Sequence, residues 1–186
     1  AISQHIRNQG QKYIPHLFAY SQLLLAINGH EGLYGTCGTP EKFWSKWIEE
    51  EISETEFHQI KNQRLDDPQI DHLFAQRSAD DKREYQSLLD AGSLAVTDQD
   101  RLIISLLRPD RLLDMTRYYT LFDSKAGKIV ARYQQVFGIK ALVKRISHFD
   151  EQGSREGGVI WHTTGSGKSF TMVFLSKALI WLEDLA

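Results

Sequence analysis

Apolar and polar positions follow different periods along the chain, and each change of period marks an element. In "AISQHIRNQGQKYIPHLF" the apolar residues keep helical spacing up to Pro15, which should end or kink a helix. "LFAYSQLLLAINGHEGLYGTCGT" predicts two strands around the turn Asn28-Gly29, with Gly35 and Gly38 closing the second. In "PEKFWSKWIEEE", Thr39 as N-cap and Pro40 as first helical residue predict a helix with Phe43, Trp44, Trp47 and Ile48 on one face. Residues 51 to about 100 are charged and weakly periodic; two short helices are expected in "NQRLDDPQIDHLFAQRSADDKREYQSLLDAG", with Gly92 as the stop.

"DQDRLIISLLRPDRLLDMTRYYTLFD" returns to apolar periodicity, interrupted at Pro109. A turn at "DSKAG" precedes "KIVARYQQVFGIKALVKRIS", where Val136, Ile139, Val143 and Ile146 predict an amphipathic helix. "DEQGSREGG" is a loop and "VIWH" a short buried strand. "SFTMVFLSKALIWLEDL" is a helix apolar on most sides, which suits a place beneath other layers of an α/β protein.

The length of 186 residues and the 41% hydrophobic content suffice for one domain or parts of two. A net charge of −2 gives no global attraction for nucleic acid or an anionic membrane, and leaves a local basic groove open. Cys37 is the single cysteine, so no internal disulfide forms, which fits a reducing cytoplasm. No apolar run reaches membrane-spanning length, so no membrane partner is expected. The chain opens on Ala1 within an amphipathic segment and closes on Ala186 directly after a helix; an internal piece of a longer protein is expected.

Strand "VIWH", loop "TTGSG" and a helix from Lys168 supply the strand–turn–helix context of a phosphate-binding loop. Gly165 and Gly167 permit backbone angles and close approaches barred to other residues. With Thr164 and Ser166 they would turn main-chain amides of residues 165–169 toward phosphate oxygens, at the positive end of the following helix. Lys168 would neutralise β- and γ-phosphate charge and assist the chemistry, and Ser169 would ligate Mg²⁺. His162 stands where the strict motif has its first glycine. The plainer alternative is an incidental Gly-Ser-Gly loop before a helix.

Upstream, "VARYQQVF" places Arg132 and Gln135 at a helix start. A glutamine amide donates and accepts side by side, matching adenine's N6 and N7 and favouring ATP over GTP. Gln134 could take that role instead. The seven histidines form no spaced metal-ligand set, and no second cysteine supports zinc. His30-Glu31 and "EEEISETE" read as solvated carboxylates rather than ligands, and Trp44 and Trp47 as core or interface anchors rather than base-stacking rings. Lys140, Lys144 and Arg145 form a small basic stripe, either an ordinary helix surface or a DNA-backbone contact.

The order "KIVARYQQVFGIKALVKRI", glycine-containing loop, "GGVIWHTTGSGKSFTMVFLSKAL" resembles the R (motor and endonuclease) subunit of type I restriction–modification enzymes, His162-Thr163 included. "LFAYSQLLLAINGHEGLYGTCGTPEKFWSKW" resembles the end of that family's nuclease domain. The resemblance implies an α/β chain. Residues 1–120 would be the C-terminal part of a PD-(D/E)XK-type nuclease domain with a helical linker. Residues 121–186 would begin the first RecA-like lobe of a superfamily 2 helicase-like translocase. Arg132 and Gln135 would fall on its adenine-reading motif, and Gly165, Gly167, Lys168 and Ser169 on helicase motif I. Gln9 and Tyr13 would fall on the Q-x-x-x-Y nuclease accessory element; helical spacing would let their polar ends meet. The implied ligands are ATP with Mg²⁺, and the implied partners are double-stranded DNA and the methyltransferase and specificity subunits. The nuclease carboxylates would precede Ala1, and the Asp-Glu motif, arginine finger and second lobe would follow Ala186, so this segment alone would be inactive.

Two further readings compete with a segment of an ATP-dependent type I deoxyribonuclease. One is a non-catalytic nucleotide-binding module in which residues 51–100 dock a partner; the other is an inactive, truncated restriction-gene product.

Overall fold

The computed structural model describes residues 1–149, 151–161, 163, 165 and 167–181. They form nine helices and two antiparallel hairpins, a mixed α/β arrangement. Helix α1 (Ile2–Asn8) stops well before Pro15. The chain bends at Gly10, Ile14 N donates to Asn8 O at 3.1 Å, and Pro15 opens a new short helix, α2 (Pro15–Phe18). Proline thus starts a helix here, where its missing N–H costs nothing. Tyr13 lies outside α1, so the helical spacing expected between Gln9 and Tyr13 is not made.

Strands β1 (Leu24–Ile27) and β2 (Gly32–Gly35) pair around the expected turn, with Ile27 opposite Gly32. Asn28 Oδ1 accepts from the amides of His30 and Glu31 at 3.0 and 2.7 Å, and Gly29 supplies φ +93°. The helix expected from Pro40 is absent; only a 3₁₀ turn forms, Glu41–Phe43. Beyond it, Ser45 pairs with Tyr34 on the edge of β2, through N···O contacts of 3.0 and 2.9 Å. Trp44 and Trp47 are both buried, in different clusters, while Phe43 and Ile48 stay half exposed. Two hydrogen bonds to a strand edge and two buried indoles outweigh the helical spacing, because propensity is a weak prior against tertiary contacts.

Side-chain caps define the charged middle region. Ser53, Asp66 and Ser78 cap α3 (Glu54–Lys61), α4 (Asp67–Phe74) and α5 (Ala79–Asp90), the last two with full capping boxes. Helices α4 and α5 are the two expected, Gly92 follows at φ +85°, and α3 is an additional one. Helix α6 (Asp98–Leu106) precedes α7 (Pro109–Arg117), which Pro109 again opens. The "DSKAG" turn joins β3 (Thr120–Asp123) to β4 (Gly127–Val130), and α8 (Tyr133–Ile146) and α9 (Lys168–Trp181) follow.

Residues 159–161 form no strand, and Val159 and Trp161 are 91% and 89% exposed. His162, the end of the expected strand, lies outside the described residues. A strand persists only where a neighbour satisfies its backbone groups, and among the described residues neither hairpin pairs with residues 159–161. Helix α9 likewise buries one face, Thr171, Phe174 and Ala178, and leaves Met172, Val173, Ile180 and Trp181 open, contrary to the expectation of cover on most sides. The main core joins Tyr34 and Trp47 with Leu102, Met115, Val136 and Phe174. It therefore draws on residues from both sides of position 120.

Candidate functional site

A cavity of about 600 Å³ lies where the two hairpins meet the starts of α8 and α9. The first hairpin and the turn after it contribute Tyr34, Gly38, Thr39, Pro40, Phe43 and Ser45. Lys125, Ala126, Lys128, Ile129 and Val130 come from the second hairpin, and Arg132, Gln135, Gly165, Gly167 and Phe170 complete the lining.

Arg132 is the N-cap of α8 and Gln135 its third residue. Gln135 is buried; its Oε1 accepts from Arg132 N at 2.8 Å and its Nε2 donates to Gly167 O at 3.0 Å. A primary amide has two donors and two acceptor sites, so among the described residues one of each has no partner. Gln134 is exposed and does not line the cavity, which separates the two candidate glutamines.

Gly165 and Gly167 take φ +81° and +86°, the left-handed region that glycine enters without strain. A Cβ built on Gly167 would stand 2.8 Å from Gln135 Nε2, so close approach also requires glycine there. Gly167 O additionally accepts from Thr171 N at 3.1 Å, closing the first turn of α9. The amides that precede Thr171 in that turn lie at the helix start, where backbone N–H groups lack intrahelical carbonyls and form a net positive pole. Lys168 and Ser169 open α9 and are exposed, and among the described residues neither side chain has a hydrogen-bond or ion-pair partner. A free ammonium and a free hydroxyl beside the glycine turn are the groups an anionic ligand and its counter-cation need. The expected contributions of Thr164 and Ser166 lie outside the described residues.

Tyr34 forms part of the cavity floor. Its OH donates to Ala131 O at 2.8 Å, and burial pushes the phenol far above its ordinary pKa, so it stays a neutral donor. Lys128 Nζ donates to Ser21 O and Gln22 Oε1 at 2.8 and 2.7 Å, and burial lowers its pKa. That ammonium ties the second hairpin to the chain before β1.

Gln9 caps the end of α1, with Nε2 donating to His5 O at 3.1 Å and Oε1 accepting from Gly38 N at 2.7 Å. It faces the loop that borders the cavity. Tyr13 is 55% exposed, with the Arg7 guanidinium 5.6 Å from its ring centroid. The expectation that the two polar ends share one target from a common helix is therefore corrected.

The acidic run acts as a set of struts. Arg111, buried against Trp47 and Phe137, bonds Glu49 at 3.2 Å and Glu51 at 2.7 Å, while Lys140 also takes Glu51 at 2.8 Å. Arg145 donates to Gly157 O at 2.7 Å and pairs with Glu156 at 3.5 Å. Two of the three cations in the basic stripe are thus already engaged. Among the described residues no group of three or more His, Cys, Asp or Glu is placed to hold a metal ion, and no helix is long and apolar enough to cross a membrane.

Sequence reasoning missed Phe43 and Pro40 as cavity walls and Arg111 as the buried hub. A "GTP" turn before aromatic residues carries no period that points to a distant glycine loop, and a lone arginine on a helix reads as surface.

Residues 134–185 match the family model of SWI2/SNF2 ATPases. The HindI type I restriction enzyme endonuclease subunit of Haemophilus influenzae is 39% identical over 89 residues, covering 45% of this chain and 8% of that protein. The type I restriction enzyme MjaIXP endonuclease subunit assigned in Methanocaldococcus jannaschii is 25% identical over 178 residues, covering 94% of this chain and 15% of its own length. An endonuclease subunit from Staphylococcus aureus strain COL is 33% identical over 82 residues, 44% of this chain and 8% of that one. The chain therefore spans only a small part of these relatives, between 8% and 15% of their length. Similarity along nearly its whole extent makes this chain a relative of type I restriction enzyme endonuclease (R) subunits, with a SWI2/SNF2 ATPase segment at residues 134–185.

Proposed function

We propose that the cavity is an adenine-nucleotide site at the start of a RecA-like motor lobe, within the ATP-dependent DNA-translocating and DNA-cleaving subunit of a type I restriction enzyme. The observation that supports this reading is the contact of Gln135 with Gly167, which brings a buried glutamine amide and a glycine turn to one cavity. Arg132 and Gln135 border the base. Gly165, Gly167 and the first amides of α9 take the phosphates, Lys168 balances their charge, and Ser169 offers its hydroxyl to the Mg²⁺ that accompanies ATP.

Hydrolysis also requires an oriented water and charge stabilisation opposite the phosphate turn. In this proposal the remaining motor and nuclease groups belong to other parts of the protein, residues 1–120 are the tail of the nuclease domain, and Gln9 and Tyr13 support DNA cleavage. Double-stranded DNA is the substrate, and methyltransferase and specificity subunits are the partners. The test is turnover in the full-length protein: Lys168→Ala abolishes DNA-stimulated ATP hydrolysis, and normal turnover in that variant would remove the motor assignment. Tyr13→Ala impairs cleavage while ATP hydrolysis continues; unimpaired cleavage would remove the nuclease-tail assignment.

A further inference from the structure

The walls of the cavity differ in kind from end to end. Gly165, Gly167 and the start of α9 make a polar, positively poled end, whereas Pro40, Phe43, Ile129 and Val130 supply apolar surface. A nucleotide has the same asymmetry, an anionic tail and a flat aromatic base, and an apolar wall suits the base only if one rigid ring presents its face.

Phe43 is the aromatic ring of that wall, and the Lys42 ammonium stands 5.0 Å from its centroid. The 3₁₀ turn fixes its backbone, with Phe43 N donating to Pro40 O at 2.9 Å. On one side Gly38 N is held by Gln9 Oε1 at 2.7 Å, and Thr36 N by Thr39 Oγ1 at 2.9 Å. On the other, Trp44 turns into the core with its indole donating to Thr39 O at 3.2 Å, and Ser45 locks onto Tyr34. Between these anchors Phe43 remains 51% exposed and lines the cavity. Fixing the backbone around a large apolar ring while leaving half of it in water adds little to stability, but it preorganises a stacking platform. Phe170, the other phenylalanine of the lining, comes within 3.9 Å of the position a Cβ on Gly167 would occupy, and so stands beside the phosphate turn.

We propose that Phe43, contributed by the segment that follows the first hairpin, stacks on the base of the nucleotide bound in this cavity. The proposal rests on the nucleotide reading above and adds a binding element from outside the ATPase-like segment of residues 134–185. Stacking on an aromatic side chain tolerates any base, so Phe43 strengthens nucleotide binding while Gln135 distinguishes adenine.

The experiment measures equilibrium binding of ATP and of inorganic tripolyphosphate to the full-length protein, by competition against a fluorescent ATP analogue. Phe43→Ala is expected to weaken ATP roughly ten-fold, in the range for loss of one base–aromatic stack, and to leave tripolyphosphate unchanged. Phe43→Trp keeps ATP affinity, and its emission changes with ATP but not with tripolyphosphate. Lys168→Ala weakens both ligands. If Lys168→Ala weakens both while Phe43→Ala binds ATP like the wild type, the stacking role is wrong and the nucleotide site stands. Equal weakening of both ligands by Phe43→Ala also overturns the stacking role. If Lys168→Ala changes neither ligand, the nucleotide reading itself fails.

Discussion

Gln135 Nε2 donates to Gly167 O at 3.0 Å, joining two positions separated by 32 residues. The same side chain caps its own helix by accepting from Arg132 N at 2.8 Å. One buried amide thus fixes the entry of α8 and the last glycine before α9. Displacing either end of this link moves the other, so the proposed base reading and phosphate binding would share one geometry.

Replacing Gln135 separates its two bonds. Gln135→Glu keeps an acceptor for Arg132 N but sets a carboxylate oxygen against the Gly167 carbonyl. A loss of about 1–3 kcal/mol is expected, as for a buried polar group left without its partner. Urea denaturation measures that loss, and nucleotide titration should show weaker ATP binding with less discrimination against GTP. Unchanged stability and unchanged discrimination would leave the link without a role.

Gly167→Ala meets two obstacles together. The φ of +86° disfavours any side chain, and the new Cβ would stand 2.8 Å from Gln135 Nε2. The backbone strain alone costs about 1–2 kcal/mol. The expected result is a lower thermal midpoint together with lost nucleotide affinity. Gly157→Ala, whose Cβ meets nothing within 4 Å, is the comparison that should change neither.

Arg111 gives a stability prediction independent of nucleotide. Its side chain and that of Glu49 are 6% and 2% exposed, so Arg111→Met leaves a buried carboxylate unpaired. Breaking such a pair costs about 3–5 kcal/mol, measurable by urea denaturation. A midpoint within error of the wild type would contradict the role of Arg111 as a buried hub.

Glu49 in that network and Asp100 in a separate pair with Lys61 set a pH dependence. Burial raises the Glu49 pKa, but hydrogen bonds from Trp47 and the Glu51 amide, with Arg111, more than offset it and hold the carboxyl below its ordinary value. At Asp100 burial is likewise outweighed by Lys61 and Thr97. Both acids bind protons more readily when unfolded. Their contribution is therefore complete above the ordinary carboxylate range, about pH 4, and is lost as pH falls through the lower folded values. The urea midpoint is expected to fall between pH 5 and pH 2–3, and a flat profile would contradict it.

The first hairpin was legible because Asn28-Gly29 satisfies a local turn requirement that no distant contact needs to complete. Proline positions were legible as boundaries, but their sense was reversed at Pro15, where the ring opens a helix. The segment from Pro40 to Ile48 was misread because its apolar spacing fits a helix, while the decisive hydrogen bonds come from Tyr34 on a neighbouring strand. "VIWH" has the composition of a buried strand, and no neighbouring strand among the described residues pairs with it. At the candidate site, Gly165, Gly167, Lys168 and Gln135 could be named from motif chemistry alone. The walls from Gly38 to Phe43 could not, because only the folded chain brings that turn to α8 and α9.

The central claim is that the glycine turn and Lys168 grip the phosphates of an adenine nucleotide selected by Gln135. The direct measurement is a paired titration of the full-length protein and its Lys168→Ala variant with ATP and GTP. The expected result is tighter binding of ATP than of GTP by the wild type, and a loss of ten-fold or more in ATP affinity, about 1.4 kcal/mol or greater, in the variant. Equal ATP affinity in the two proteins would contradict it.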